Sequence, residues 1–205
     1  MEESRRDRKK RQTRDRIQEA ALDLFTTHGY RNTTIAAIAE HADVATRTVT
    51  LHFPTKEDLL FADDPFTPSS LAERLAGRTA PALEVVREWL RETMGALDRR
   101  DADRYREPGE IWARRTRRAT LIAEDGDLRG RARAAYRALE RLIATAIAED
   151  MNVPADALAP RLTAYAIVGG LRELYTTHEV THDADLWALV DRVFDFARAG
   201  LKQLA

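Results

Sequence analysis

The sequence predicts an all-α protein: a small N-terminal three-helix unit joined to a larger helical bundle. Three observations lead there. Apolar residues recur at i, i+3 and i+4 in one segment after another, and no stretch alternates with period 2 for long enough to build a sheet. Gly (9) and Pro (7) are scarce among 205 residues, while charged residues make up 33% and exceed the usual quarter. The longest apolar run, Ala164 to Leu171, holds eight residues, where a bilayer span takes about 20. The charged N-terminus leads into no apolar stretch, so neither a membrane span nor a secretory signal is expected. Without Cys there is no disulfide framework, no thiolate-held metal and no thiol nucleophile, which favours a cytoplasmic protein.

From Thr13 the helical period is clear: Ile17, Ala20, Ala21, Leu24 and Phe25 form one apolar stripe, and Gly29 follows where a helix ends by turning left-handed. A second helix is expected from Thr34, whose hydroxyl can cap free amides, with Ile35, Ile38, Ala39 and Ala42 on its buried face. Asp43-Val44 leaves room only for a tight turn before a third short helix from about Ala45 to His52. Pro54 ends that helix, and Thr55 caps a fourth beginning at Lys56. The run from Ala62 to Ser70, with Pro65 and Pro68, reads as a linker. Beyond it come a stripe of Leu83, Val86, Leu90, Met94 and Leu97, and a looser one of Ile111, Trp112, Ala119 and Ile122. Another joins Leu128, Ala132, Ala135, Leu139, Leu142 and Ile143. Helices from Pro154 to about Thr177 and from about Asp183 to Leu204 close the chain. The division expected is 1–12 as a flexible basic arm, 13–62 as the three-helix unit, 63–70 as a linker and 71–205 as the bundle.

The formal net charge is only −1, yet Arg5, Arg6, Arg8, Lys9, Lys10, Arg11, Arg14 and Arg16 crowd the N-terminus. Such an arm is either a solvated tail or a nucleic-acid contact. Two short helices joined by a tight turn, with a third across them, form the helix-turn-helix arrangement that fits a major groove. Small residues (Ala39, Ala42) allow close approach, while Ile38, Val44 and Val49 lock the angle. The outward face of the second of the two is then Thr46, Arg47 and Thr50, flanked by Thr48, His52 and Lys56. These side chains suit phosphates and base edges. An ordinary helical hairpin with a solvated Thr/Arg face satisfies the same spacing.

Gly29-Tyr30, Thr33-Thr34-Ile35 and the run TIAAIAEHADVATRTVTLHFPTKEDLL from Thr34 to Leu60 resemble the DNA-binding domain of TetR-family transcriptional regulators, over residues 13 to 62. The resemblance implies a helix-turn-helix DNA-binding domain followed by a helical ligand-binding and dimerisation domain. It implies Thr46, Arg47 and Thr50 as base readers and Thr34, Thr48, His52 and Lys56 as phosphate contacts, with Arg47 placed to pair bidentately with guanine. Arg11 or Arg14 of the arm is then expected at phosphates or in the minor groove. Asp43 stands where the family usually has Gly, and Asp tolerates left-handed backbone. Ala45 replaces a Ser or Thr cap, and Thr50 replaces an aromatic residue of longer reach. Arg47-Thr48, Phe53 to Asp58 and the basic stretch Arg114 to Arg118 are similar to the MftR-like branch, whose ligands are of the acyl-CoA type.

In the larger domain Trp89, Met94, Trp112, Tyr136 and Tyr165 fall on or near the apolar stripes. They are either plain core or the lining of a pocket for a small apolar or amphipathic effector. Arg115, Arg117 and Arg118 could meet an anionic ligand or be solvated. Tyr165, Ala166, Gly169 and Gly170 give the penultimate helix a low-relief surface. Val190, Val193, Phe194 and Ala197 lie on a broad apolar face of the last helix, so two copies of the pair are expected to form a two-fold dimer interface. His178, Glu179 and His182 spell H-E-x-x-H, but weak helix formers surround them and no Glu follows His182, so a polar inter-helix loop is preferred to a metal site. There is no Gly-rich phosphate loop and no nucleophile elbow. The expectation is a cofactor-free, non-enzymatic regulator: a dimer that represses from a pseudopalindromic double-stranded operator and is released by a small molecule. A helical small-molecule carrier without DNA function and a hydrolase built on His178 and His182 are the other readings.

Overall fold

The computed structural model describes residues 4–62, 64–104, 108–176 and 185–204, and no strand occurs among them. Among the described residues ten helices run in order: α1 (Arg5–His28), α2 (Ile35–His41), α3 (Thr46–His52), α4 (Asp58–Phe61), α5 (Pro68–Ala76), α6 (Ala82–Arg104), α7 (Pro108–Glu124), α8 (Gly126–Met151), α9 (Leu158–Thr176) and α10 (Asp185–Leu204). The chain divides into two compact units.

The first unit holds residues 1–64 together with 113–129, so a segment expected in the larger domain belongs to the head. Its core packs Ile17, Ala21 and Phe25 of α1 against Ile38, Val49, Phe53 and Leu59, and Leu121 and Leu128 complete it. Three arginines of α7 reach acids and a carbonyl of the head: Arg114 Nε to Glu19 (3.3 Å), Arg117 Nη1 to Asp23 (2.9 Å), and Arg118 to Asp64 (2.9 Å) and the Leu60 carbonyl (2.7 Å). Arg114, Arg117 and Arg118 therefore take part in packing within this unit. Asp125 caps α8, accepting the amide N–H groups of Asp127 and Leu128, and it also pairs with Arg31 at 3.0 Å.

The N-terminal arm departs from expectation. Residues 5–12 are the first turns of α1, begun by Ser4, whose hydroxyl accepts the Asp7 amide. Interspersed Asp7 and Asp15 among the basic residues, and a good cap, let the helix extend past the apolar stripe that begins at Ile17.

The second unit holds residues 65–112 and 130–205. Pro68, expected in the linker, opens α5 behind a Thr67 cap, as the fixed φ of proline allows at a helix start. Its core gathers Leu71, Val86, Leu90, Met94, Ile143, Ile147, Ile167 and Phe194. Trp89 and Met94 are buried in that core, and the Trp89 indole N–H donates to Ser70 Oγ and meets Phe66 edge-on at 5.8 Å. Tyr136 packs partly against the same core, while Tyr165 is exposed. The Trp112 side chain lies outside the described residues. Two surface clefts of about 530 and 550 Å³ flank the turn between α5 and α6, and none of these candidate aromatic or Met residues lines them.

The last two helices also differ from expectation. Val190, Phe194 and Ala197 of α10 are buried inside the protomer against α9, so they are core and not a free interface. Their apolar spacing is that of an interface, but α9 of the same chain covers them. Gly170 makes the approach possible: a β-carbon there would lie 2.8 Å from Val193 Cγ1 and 3.2 Å from Cγ2. Gly169 faces open space, and Ala166 is half-buried. The large apolar groups left exposed among the described residues of this unit are Val153, Leu158, Leu162 and Tyr165 on or before α9 and Phe196 and Leu204 on α10. His178, Glu179 and His182 lie outside the described residues, and no metal-holding group of His, Asp and Glu occurs among the described ones.

Two outcomes are expected. Gly170→Ala forces a stiff β-branched side chain to move and lowers unfolding free energy by about 1–3 kcal/mol in denaturant titration, whereas Gly169→Ala does not. Asp125 is held below the usual carboxylate range, first by its hydrogen bond from Arg31 and next by the Leu128 amide. Its contribution is therefore present above its unfolded pKa and is lost as pH falls below about 4. Asp125→Ala loses about 1 kcal/mol at pH 7 and progressively less in acid, read as melting temperature against pH.

Candidate nucleic-acid interface

The head is organised by one turn. Thr34 caps α2, its hydroxyl accepting the Ala37 amide at 3.1 Å. At the other end Asp43 adopts φ +51°, its N–H bonds to the Glu40 carbonyl (3.1 Å), and the Val44 N–H bonds to the Ala39 carbonyl (3.0 Å). This is the Schellman pattern, with aspartate in the left-handed seat that glycine usually fills. Ala45 begins α3 without a side-chain cap, as its methyl requires.

Within α3 the faces separate cleanly. Val49 is fully buried and Thr48 and His52 are half-buried, while Thr46, Arg47, Thr50 and Leu51 face outward. The Arg47 guanidinium has no hydrogen-bond or ion-pair partner among the described residues. Thr50 donates its hydroxyl proton to the Arg47 carbonyl at 3.1 Å. Leu51 is 82% exposed. Residue chemistry alone does not select Leu51, since a leucine in a short helix reads as core. Its i+4 spacing from Arg47 is the signal that puts it on the outer face.

Two cations anticipated at phosphates turn out to brace the head. Arg14 Nη1 donates to the His52 carbonyl at 2.8 Å, and its guanidinium lies 4.2 Å from the centroid of the buried Phe53 ring. Lys56 Nζ donates to the Tyr30 (2.8 Å) and Thr33 (3.2 Å) carbonyls and sits 4.3 Å from the Tyr30 ring centroid. The Tyr30 hydroxyl in turn donates to Glu57 Oε1 at 2.7 Å. Thus Arg14 ties α1 to the end of α3, and Lys56 ties the start of α4 to the loop between α1 and α2. Burial, then the charges of Arg14 and Lys10, push His52 below its ordinary pKa. Arg5, Arg6, Arg8, Lys9, Lys10 and Arg11 stand exposed along the first turns of α1. A helix about 10–12 Å across does not enter a minor groove about 6 Å wide, so as a helix this segment suits phosphates and not the minor-groove contact expected of a loose arm.

A tri-helical head that exposes a short polar helix beside a left-handed turn is a helix-turn-helix DNA-binding unit. Residues 17–62 match the family model described as bacterial regulatory proteins, tetR family, and residues 80–202, more than half of the chain, match the MftR C-terminal domain. The chain belongs to the TetR family of bacterial transcriptional regulators, with a C-terminal domain of the MftR type. It is 46% identical over 54 residues to the HTH-type transcriptional regulator TcmR of Streptomyces glaucescens, an alignment spanning 26% of this chain and 24% of TcmR. Its fold is similar to that of NalD, the secondary repressor of the MexAB-OprM multidrug efflux pump in Pseudomonas aeruginosa. That match has TM-score 0.59 and 22% identity and covers 91% of this chain and 96% of NalD. It is also similar to the fatty acid degradation regulator FadR from Bacillus halodurans, with TM-score 0.55 and 20% identity over 98% and 99% of the two chains. No described helix is long and apolar enough to cross a membrane.

The bracing roles predict a separation of effects. Lys56→Met leaves two carbonyls without their charged donor and lowers the melting temperature of the head, by about 1–3 kcal/mol in stability. Arg47→Ala, on the outer face, leaves the unfolding free energy within about 0.5 kcal/mol of wild type.

Proposed function

We propose that the chain is a ligand-responsive repressor that binds a pseudopalindromic duplex operator as a homodimer in the cytoplasm and leaves it when a small molecule binds. The observation that carries the DNA half is the uncommitted outer face of α3, with Arg47 at its centre and a frame of hydrogen bonds behind it. Arg47 pairs with a guanine, Thr46 and Thr50 border it, and Thr34, Thr48, His52 and Arg11 meet the flanking phosphates. Lys56 and Arg14 act chiefly by holding α3 and its neighbours in place.

Dimerisation is supported by the apolar groups that the protomer leaves uncovered. Leu158, Leu162, Tyr165 and Gly169 follow one another at intervals of four, three and four along α9, a seam that knobs-into-holes packing can fill. Phe196, 73% exposed on α10, adds a large ring. In this reading the interface keeps Tyr165, Ala166 and Gly169 and takes Leu158, Leu162 and Phe196 in place of the buried Val190, Phe194 and Ala197. Two-fold symmetry sets two copies of α3 about 34 Å apart, or a multiple of it.

Release follows from linkage. An effector that prefers a dimer conformation unsuited to the operator lowers DNA affinity by the factor by which DNA lowers its own. An apolar or amphipathic molecule fits an MftR-type C-terminal domain, and opening the packed region around Trp89 and Met94 is the conformational change that would admit it.

The test is fluorescence anisotropy with duplex DNA from the upstream region of the chain's own gene, across a salt series. Binding that weakens steeply with salt, and that loses about 1–3 kcal/mol per half-site in Arg47→Ala, is expected. Binding indifferent to both sinks the regulator reading in favour of a helical carrier. Leu162→Glu or Phe196→Glu should sediment as a folded monomer, and a monomeric wild type at micromolar concentration removes the dimer.

A further inference from the structure

The outer face of α3 is chemically divided along its length. Its N-terminal half offers Thr46 and Arg47. Its C-terminal half offers Thr50, whose hydroxyl proton is already given to the Arg47 carbonyl, and Leu51, whose side chain has nothing to donate or accept. Leu51 lies one turn beyond Arg47, about 6 Å along the helix axis, which matches two base-pair steps of about 3.4 Å. A lone exposed leucine means little on most surfaces. This one sits on the face that must lose its water when α3 enters the major groove, beside a guanidinium placed to read a base. Of the groups that base pairs display in that groove, the 5-methyl of thymine is the apolar one. A polar base edge opposite Leu51 would be stripped of water and left unpaired, whereas a thymine methyl buries apolar surface on both sides.

We propose that Leu51 is a specificity-determining residue that packs on the 5-methyl of a thymine within about two base pairs of the guanine read by Arg47. Each half-site then carries a guanine, selected by a charged hydrogen-bond donor, and a nearby thymine, selected by shape and apolarity. The proposal rests on the DNA-binding reading of α3, and it assigns Leu51 to one occupant, the methyl group of thymine in duplex DNA.

The experiment uses the full chain and a random duplex pool. Selection with wild-type protein defines the preferred half-site, and each thymine in it is then replaced by deoxyuridine, which deletes only the methyl. One thymine per half-site should be sensitive, with affinity falling roughly fourfold per half-site on replacement. In Leu51→Ala the same replacement should have no effect, the preference for thymine there should relax, and the preference for guanine should persist. Leu51→Met, apolar and similar in size, should restore the uracil penalty. The proposal is overturned if wild type and Leu51→Ala respond alike to every replacement, or if Leu51→Ala selects an unchanged half-site. A wild-type chain that selects no sequence at all overturns the reading of α3 itself, a separate and recognisable result. Because Leu51 is exposed, an unchanged melting temperature in both variants is expected and shows that any altered selection is not a folding defect.

Discussion

The angle between α2 and α3 is what the rest of the head depends on, and one left-handed residue fixes it. Asp43 closes α2 with two backbone hydrogen bonds, so the chain reverses within two residues and lays α3 across the small side chains of Ala39 and Ala42. Aspartate pays a modest conformational penalty for this seat, and the compensation is visible: Val44, Val49 and Phe53 all reach the core as soon as the turn is made. A wider turn would swing the outer face of α3 away from the groove while leaving every helix intact. Function in this domain is therefore a matter of orientation more than of helix content.

Around that turn, the positive charges have divided into two kinds of work. Arg14 and Lys56 give their protons to backbone carbonyls and lie against aromatic rings, so they lose little freedom when DNA arrives. Arg47 stands outward, and the basic first turns of α1 add charge without adding to the core. The α7 arginines add to the bracing, pairing with Glu19, Asp23 and Asp64. Each such half-exposed pair is worth at most about 1 kcal/mol, but together they hold α7 in a fixed register on α1.

In the bundle, the contact between Gly170 and Val193 decides which surfaces remain for a partner. With no side chain at 170, α9 and α10 approach closely enough to bury Val190, Phe194 and Ala197 between themselves. Leu158, Leu162 and Phe196 are among the apolar groups that stay exposed. Glycine at 169 leaves a flat place beside Tyr165 where another helix could lie.

Much of this was legible in the residues themselves, because helix periodicity, caps and turns are local. The stripe from Ile17 to Phe25, the Thr34 cap, the aspartate turn and the outward Thr46 and Arg47 all follow from spacing of 3.6 residues and from the few side chains that can cap or turn a helix. Tertiary structure alone decided which of several equally apolar faces is covered. It moved Arg14 and Lys56 inward, joined residues 113–129 to the head and buried the α10 face that spacing had offered to a partner. The physical reason is that a side chain's pattern states what it can bury or pair with, whereas the neighbour that actually covers it comes from far along the chain.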